Sequence, residues 1–174
     1  MIELTTSVPD VELETPVIVL EAVFMELKIP PPVLAVSLAF LIWVTSRTLP
    51  PLWPPGAIGS YLALVLAVGG TAIDMSAKRL FLRARTTVNP LTPEAAAVMV
   101  RGGVYRWSRN PMYVGRAMQL LAISIYLASW VGLIGVVLFA AYLDRFQIRA
   151  EERALAARFP DEYPAYKATT RRWM

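Results

Sequence analysis

The sequence predicts an all-α, polytopic membrane bundle of about four transmembrane helices, with an N-terminal interfacial helix and cytoplasmic connector and C-terminal helices. Two observations predict it. Of 174 residues, 56% are apolar and only 17% charged, where a soluble domain of this size carries about 25% charged residues. The apolar excess is gathered into four windows, residues 33–49, 57–73, 112–129 and 130–146, each with at most two charged side chains. About 20 helical residues cross a hydrocarbon core roughly 30 Å thick. The windows are slightly short of that, so their flanks must help or the bilayer must thin.

The elements follow in order. The first 31 residues carry Glu3, Asp10, Glu12, Glu14, Glu21 and Glu26 against one base, Lys28. A secretory leader starts positive and ends in a small-residue cleavage site, so no removable leader is expected. Residues 15–27 are apolar, with Glu14, Glu21 and Lys28 spaced by seven on roughly one helical face. They read as an interfacial helix, which Pro30-Pro31-Pro32 ends. The first span closes in a stiff proline-rich turn, residues 49–55, with Trp43 and Trp53 as interface markers. The second begins at Gly56 and holds Gly69-Gly70. Small residues let helices approach closely in lipid, so these two spans are expected to form a tight hairpin.

The connector, residues 74–116, carries eight bases (Lys78, Arg79, Arg83, Arg85, Arg101, Arg106, Arg109, Arg116) and two acids (Asp74, Glu94). The tail from Asp144 onward is also rich in arginine, whereas the turn at Ser129-Trp130 has no charge. Positive loops stay in the cytoplasm, which puts connector and tail on one membrane face, where they can meet. The second helix should run on into water over 72–85, followed by a loop over 86–93. A helix is expected from Pro93, capped by Thr92, and stopped by Gly102-Gly103. Pro111 suits the first position of the third span. The fourth helix should continue over 145–159 until Pro160 breaks it, and 161–167 should pack back through Tyr163 and Tyr166. The chain reads as one domain, 1–174, comprising an interfacial segment (1–31), a first hairpin (32–73), and connector, second hairpin and tail (74–174).

The missing residue types narrow the chemistry. With no Cys and no His, there is no disulfide, thiolate nucleophile, imidazole base or metal site of the usual kind. No metal and no nucleic-acid partner is expected. Chemistry must run on Arg, Lys, Asp, Glu, Tyr, Asn, Ser and backbone.

Two places stand out. Residues 101–115 are basic, aromatic and turn-rich between two apolar hairpins. The helix start at Asn110-Pro111 offers free N–H groups to an anion, and Tyr105 and Tyr113 offer flat faces to a ring. Membrane anchoring explains such a stretch as readily, because Arg, Trp and Tyr gather at interfaces. Glu151-Glu152 follow Arg145 and Arg149. Arg145, Arg149 and Glu152 share a helix face, with Glu151 about 100° away. This is either a solvated ion-paired face or a carboxylate for a cationic ligand beside an arginine for an anionic one.

The order of the pieces is more telling than any one of them. Gly103-Val-Tyr105, Arg109-Asn-Pro-Met-Tyr-Val-Gly115, a two-span hairpin, Glu151-Glu152, Leu155 and Phe159-Pro-Asp-Glu-Tyr-Pro-Ala-Tyr166 follow one another over residues 86–172. This half of the chain resembles the isoprenylcysteine carboxyl methyltransferase family and, more distantly, the phospholipid N-methyltransferases. One position departs: the family commonly has Arg-His-Pro where this chain has Arg109-Asn110-Pro111, and Asn cannot titrate.

The resemblance implies an integral membrane enzyme that uses S-adenosylmethionine and releases S-adenosylhomocysteine, in a pocket outside the Rossmann fold. Carried over by position, the donor meets Tyr105, Arg109, Asn110, Pro111, Met112, Tyr113, Glu151 and Glu152. Backbone contacts come from Ala97, Val98, Met99 and Val100, and Asn89 adds an amide. Glu151 would answer the donor's amino group, and the helix start at Asn110-Pro111 its carboxylate. Arg145 or Arg149 would hold an anionic acceptor. A carboxylate acceptor is already an anion and needs no base, so catalysis reduces to positioning and desolvation. The acceptor would be a lipophilic small molecule or a lipid-modified substrate arriving from the bilayer, most simply a carboxylate of the isoprenylcysteine type. The expected location is a bacterial or archaeal inner membrane, with the site facing the cytoplasm. The alternatives are an N- or S-methyltransferase of lipids with the same architecture, a membrane reductase using NADPH, and a non-enzymatic scaffold.

Overall fold

A computed structural model describes residues 29–85 and 98–174. The expected interfacial helix, the loop over 86–93 with Asn89, the helix start at Pro93, and Ala97 lie outside the described residues.

Helix α1, Pro31–Thr45, has Pro31 in its first turn, where the missing N–H costs nothing. At its end, the Thr45 and Ser46 hydroxyls donate to the carbonyls of Leu41 (2.9 Å) and Trp43 (2.7 Å). Helix α2, Ala57–Arg83, has 27 residues and is about 40 Å long. It outruns its apolar window and projects its basic end beyond it, as the sequence predicts. Helix α3, Pro111–Tyr126, starts at the expected proline. Helix α4, Trp130–Tyr142, is capped by the Ser129 hydroxyl, which accepts from the Gly132 N–H at 3.1 Å. Ser129→Ala is expected to cost about 1 kcal/mol, read as a lowered unfolding midpoint.

From α4 the chain passes without a break through a π-helical turn, Leu143–Ile148, into α5, Arg149–Arg158. After Pro160, α6 (Glu162–Thr169) packs back with Tyr163 and Tyr166 buried. The described residues are helical, with no strand. Two continuous helices, Ala57–Arg83 and Trp130–Arg158, are long and apolar enough to cross a membrane, and α1 is a shorter apolar helix. Val36, Phe40, Leu64, Val65, Val137 and Leu138 on these helices face outward. That apolar exterior fits association with a membrane, since soluble monomers rarely expose contiguous apolar surface on this scale.

The packing departs from expectation at one point. The first two helices do not form a tight hairpin. Instead α2 packs along α3, and α1 packs on α4 and α3. The small residues decide this. A Cβ on Gly70 would come within 2.6 Å of the Gly115 carbonyl oxygen, and one on Gly115 within 2.5 Å of the Gly70 oxygen. Gly70 therefore serves α3, two elements on, rather than its chain neighbour. Gly115→Val would force the α2 and α3 backbones apart. It is expected to destabilise the bundle by about 1–3 kcal/mol or more, measured by thermal unfolding in detergent. The core between α1, α3 and α4 is built on Ile42, Leu120, Phe139, Leu143 and Ile148, and Trp173 returns from the tail to pack against it.

Candidate active site

The connector and the tail meet, as their shared charge predicts. The Arg109 N–H donates to the Arg171 carbonyl (2.9 Å), and the Ser108 hydroxyl to that of Arg172 (3.3 Å). The Arg109 guanidinium donates to the carbonyls of Lys167 and Thr170 at 3.1 and 2.5 Å. The Asn110 amide donates to the Arg172 carbonyl at 2.9 Å. At Asn110 only a donor is used, so an asparagine serves this contact without titrating. The tail thus straps the start of α3, and Tyr166 adds a hydrogen bond from its hydroxyl to the Tyr105 carbonyl (2.7 Å).

Under the strap lies an ion cluster centred on Glu152 and Arg172, with Lys167 at its rim 3.7 Å from Glu152. Glu152 accepts from Arg109 at 2.8 Å and from two nitrogens of Arg172 at 3.0 and 2.7 Å. Arg172 also reaches Asp144 at 3.0 Å. The hydrogen-bonded Glu152 carboxylate, helped by Asp144, holds Arg172 protonated even beyond the ordinary arginine range. Sequence spacing puts Arg149 on the face of Glu152, yet Arg149 lies 3.8 Å from Asp144 instead. The helix face carrying Glu152 is met by the turn before α3 and by the tail, which bring two better-placed guanidiniums, Arg109 and Arg172.

Glu151 has a different environment. One carboxylate oxygen accepts from the Tyr113 hydroxyl at 2.5 Å and from the Gln147 amide at 2.6 Å. Both partners are neutral. Among the described residues no cation pairs with Glu151. The π-helical turn supplies Gln147, which is buried; such turns recur at functional sites. Nearby, Tyr105 is buried with its ring 5.5 Å from Phe81. It sits in a 3₁₀ turn, Gly103–Arg106. Gly103 has φ +58°, and a Cβ there would meet Leu80 at 2.8 Å, so glycine alone fits.

The structure therefore brings Tyr113 to Glu151, and Arg109 and Asn110 to the strap with Glu152. Pro111 is buried and Met112 half-buried beside them. Val98, Met99 and Val100 lead into the turn as irregular backbone. Arg145 and Arg149 are both exposed, Arg145 stacking on the Phe146 ring. Neither touches the Glu151 or Glu152 carboxylate. Gln147, Asp144 and Arg172 were missed. Gln147 stands four residues before Glu151, a spacing that could have found it. Nothing local marks Arg172, which joins the site only through the returning tail.

The strap has a predictable response to pH. Burial pushes the Tyr166 phenol from the usual 10 up to about 12, and burial first, then Tyr166, pushes Tyr105 higher still. A group with a raised folded pKa contributes stability that is complete below its unfolded pKa and lost as pH rises through the folded one. Stability should hold to about pH 10 and fall between pH 10 and about 12. Unfolding midpoints across that range, with Tyr166→Phe showing a shallower fall, check it.

No solved structure matches the chain. A protein of Haemophilus influenzae titled only "Uncharacterized protein" is 38% identical over 63 residues, 36% of this chain and all of the relative. The pattern described as phospholipid methyltransferase matches residues 58–162. That stretch contains all but the first residue of α2, the Tyr105 turn, α3, Gln147 and both glutamates, and it is more than half of the chain. By this match, and with helices fit to lie in a membrane, the chain belongs to the phospholipid methyltransferase family, membrane methyltransferases of lipophilic substrates related to those of the isoprenylcysteine type.

Proposed function

We propose that this chain transfers a methyl group from S-adenosylmethionine to a carboxylate of the isoprenylcysteine type, in a four-span bundle whose site faces the cytoplasm of a bacterial or archaeal cell. The observation that carries the reading is Glu151. A largely enclosed carboxylate with two neutral partners and no cation among the described residues is costly, and it is well suited to an arriving ammonium group. The donor's amino group supplies that charge, and the Tyr113 and Tyr105 rings offer flat surfaces for its adenine. The bound donor supplies an electrophilic methyl on a sulfonium. Its transfer to a carboxylate oxygen would break the C–S bond and leave a neutral thioether. No proton moves, so the absence of His and Cys is no obstacle.

The chain's own residues then hold, orient and exclude water. Gln147 and Tyr113 fix the Glu151 carboxylate. Arg109, Glu152 and Arg172 hold the start of α3 against the tail, so that Asn110 to Tyr113 keep their positions. Arg145, or the exposed Arg149 at the rim of the ion cluster, receives the anionic acceptor as it leaves the bilayer.

The test is purification with native lipid, addition of S-adenosylmethionine carrying a labelled methyl, and mass analysis of the lipids. Expected are saturable binding of the donor and of S-adenosylhomocysteine, no competition by NADPH, and label in a lipid carboxyl ester. Label in a headgroup amine or a thiol would move the acceptor to another lipid class. No donor binding and no labelled lipid would remove the enzyme reading.

A further inference from the structure

Arg79 and Arg83 stand one turn apart on the basic end of α2, and Arg106 faces them from the 3₁₀ turn. With Ser76, Leu80, Gly103, Val104 and Trp107 they line a cavity of about 530 Å³. Among the described residues no carboxylate lines it, and none of the three arginines has an ion-pair partner there. Arginines four apart on one helix repel, and a third from another element adds to the cost. The turn packs against α2, and glycine at 103 permits it, since a Cβ there would meet Leu80 at 2.8 Å, so the concavity is part of the packed fold. Its position is as telling as its charge. It begins just past the apolar window of α2, and it is flanked by the outward-facing Leu82 (70% exposed) and Trp107 (78% exposed). Indole and leucine beside a cluster of guanidiniums suit the level where acyl chains give way to headgroups.

We propose that this cavity is an anion site for the phosphate group of an acidic membrane lipid, separate from the centre at Glu151. Planar guanidiniums match phosphate oxygens in pairs, the Ser76 hydroxyl is a further donor, and Trp107 lies along the first carbons of the chains. The two sites are divided by the turn itself: Gly103, Val104 and Arg106 line the cavity, while Tyr105 packs on Phe81. The proposal is independent of the methyl-transfer reading, since no part of it uses the donor or the acceptor.

Trp107 is the reporter. Its fluorescence, taken as the difference between wild type and Trp107→Phe in zwitterionic detergent, is followed on addition of phosphatidylglycerol, phosphatidylcholine or inorganic phosphate. Phosphatidylglycerol should give a saturable change that phosphatidylcholine does not. The triple variant Arg79→Gln, Arg83→Gln, Arg106→Gln should weaken it by at least about tenfold, the loss expected for charged hydrogen bonds. The matching triple lysine variant should retain part of it. Wild type alone should lose the change as salt rises, which keeps the test decisive should the glutamine variant fail to fold. A response to inorganic phosphate without one to the lipid would keep the anion site and move its source to solution. Equal responses to both lipids, a glutamine variant that binds as well as wild type, or no response at all would overturn the proposal.

Discussion

Glu151→Gln should lower affinity for S-adenosylmethionine by roughly 10- to 100-fold, while leaving thermal stability unchanged or slightly raised. The two halves of this result come from one observation. Glutamine keeps the shape of the side chain and an oxygen to accept from Tyr113 and Gln147, so the local structure survives. What it removes is the negative charge. A hydrogen bond to a charged group contributes about 1.5–3 kcal/mol, and each 1.4 kcal/mol is about a factor of ten in affinity. A largely enclosed carboxylate with no cation beside it among the described residues is a burden on the free protein, so neutralising it should not destabilise. Titration calorimetry and an unfolding curve on the same sample check both. A stable variant with undiminished donor affinity would show that Glu151 does not meet the donor's ammonium group.

Glu152→Ala should have the opposite effect: a loss of about 3–5 kcal/mol in stability, with turnover falling because the site loosens. Glu152 neutralises Arg109, whose side chain is only 9% exposed, and Arg172, at 29%. Removing it leaves two guanidiniums facing one another under the strap, and the surviving carbonyl contacts of Arg109 do not cancel that charge. Arg172→Ala should cost less, because Arg109 still satisfies the carboxylate. The double variant should be far from additive, since the residues share one network. Unfolding midpoints of the four proteins give the coupling. Near-native stability in Glu152→Ala together with lost donor binding would make Glu152 a ligand of the donor instead of a post of the strap.

The adjacent glutamates show what a sequence can and cannot reveal. Their place in order after the Arg109–Gly115 stretch was legible, as was the meeting of the two basic segments, because charge asymmetry acts along the whole chain. Their division of labour was not. Spacing on a helix assigns residues to faces, but the cover over each face comes from elsewhere. Arg172 reaches Glu152 from twenty residues on, after Pro160 turns the chain and α6 carries it back. The π-helical turn at Leu143–Ile148 likewise has no helix-breaking residue to announce it, and it places Gln147 in the site. The glycine pair was read correctly as a close-approach point and given the wrong partner. Gly70 meets Gly115 on α3 because small residues say that a helix will be approached, not by which one.

By itself the sequence determined the class of the molecule: helical, apolar, asymmetrically charged and free of His and Cys, with basic and acidic side chains gathered around residues 101–115 and 151–152. These follow from composition, periodicity and order, which need no partner to be read. The tertiary structure alone decided which carboxylate is neutralised and which is held open. A charge inside a protein is defined by what surrounds it, and at Glu151 and Glu152 those surroundings arrive from α3, the π-helical turn and the returning tail, brought together only by folding.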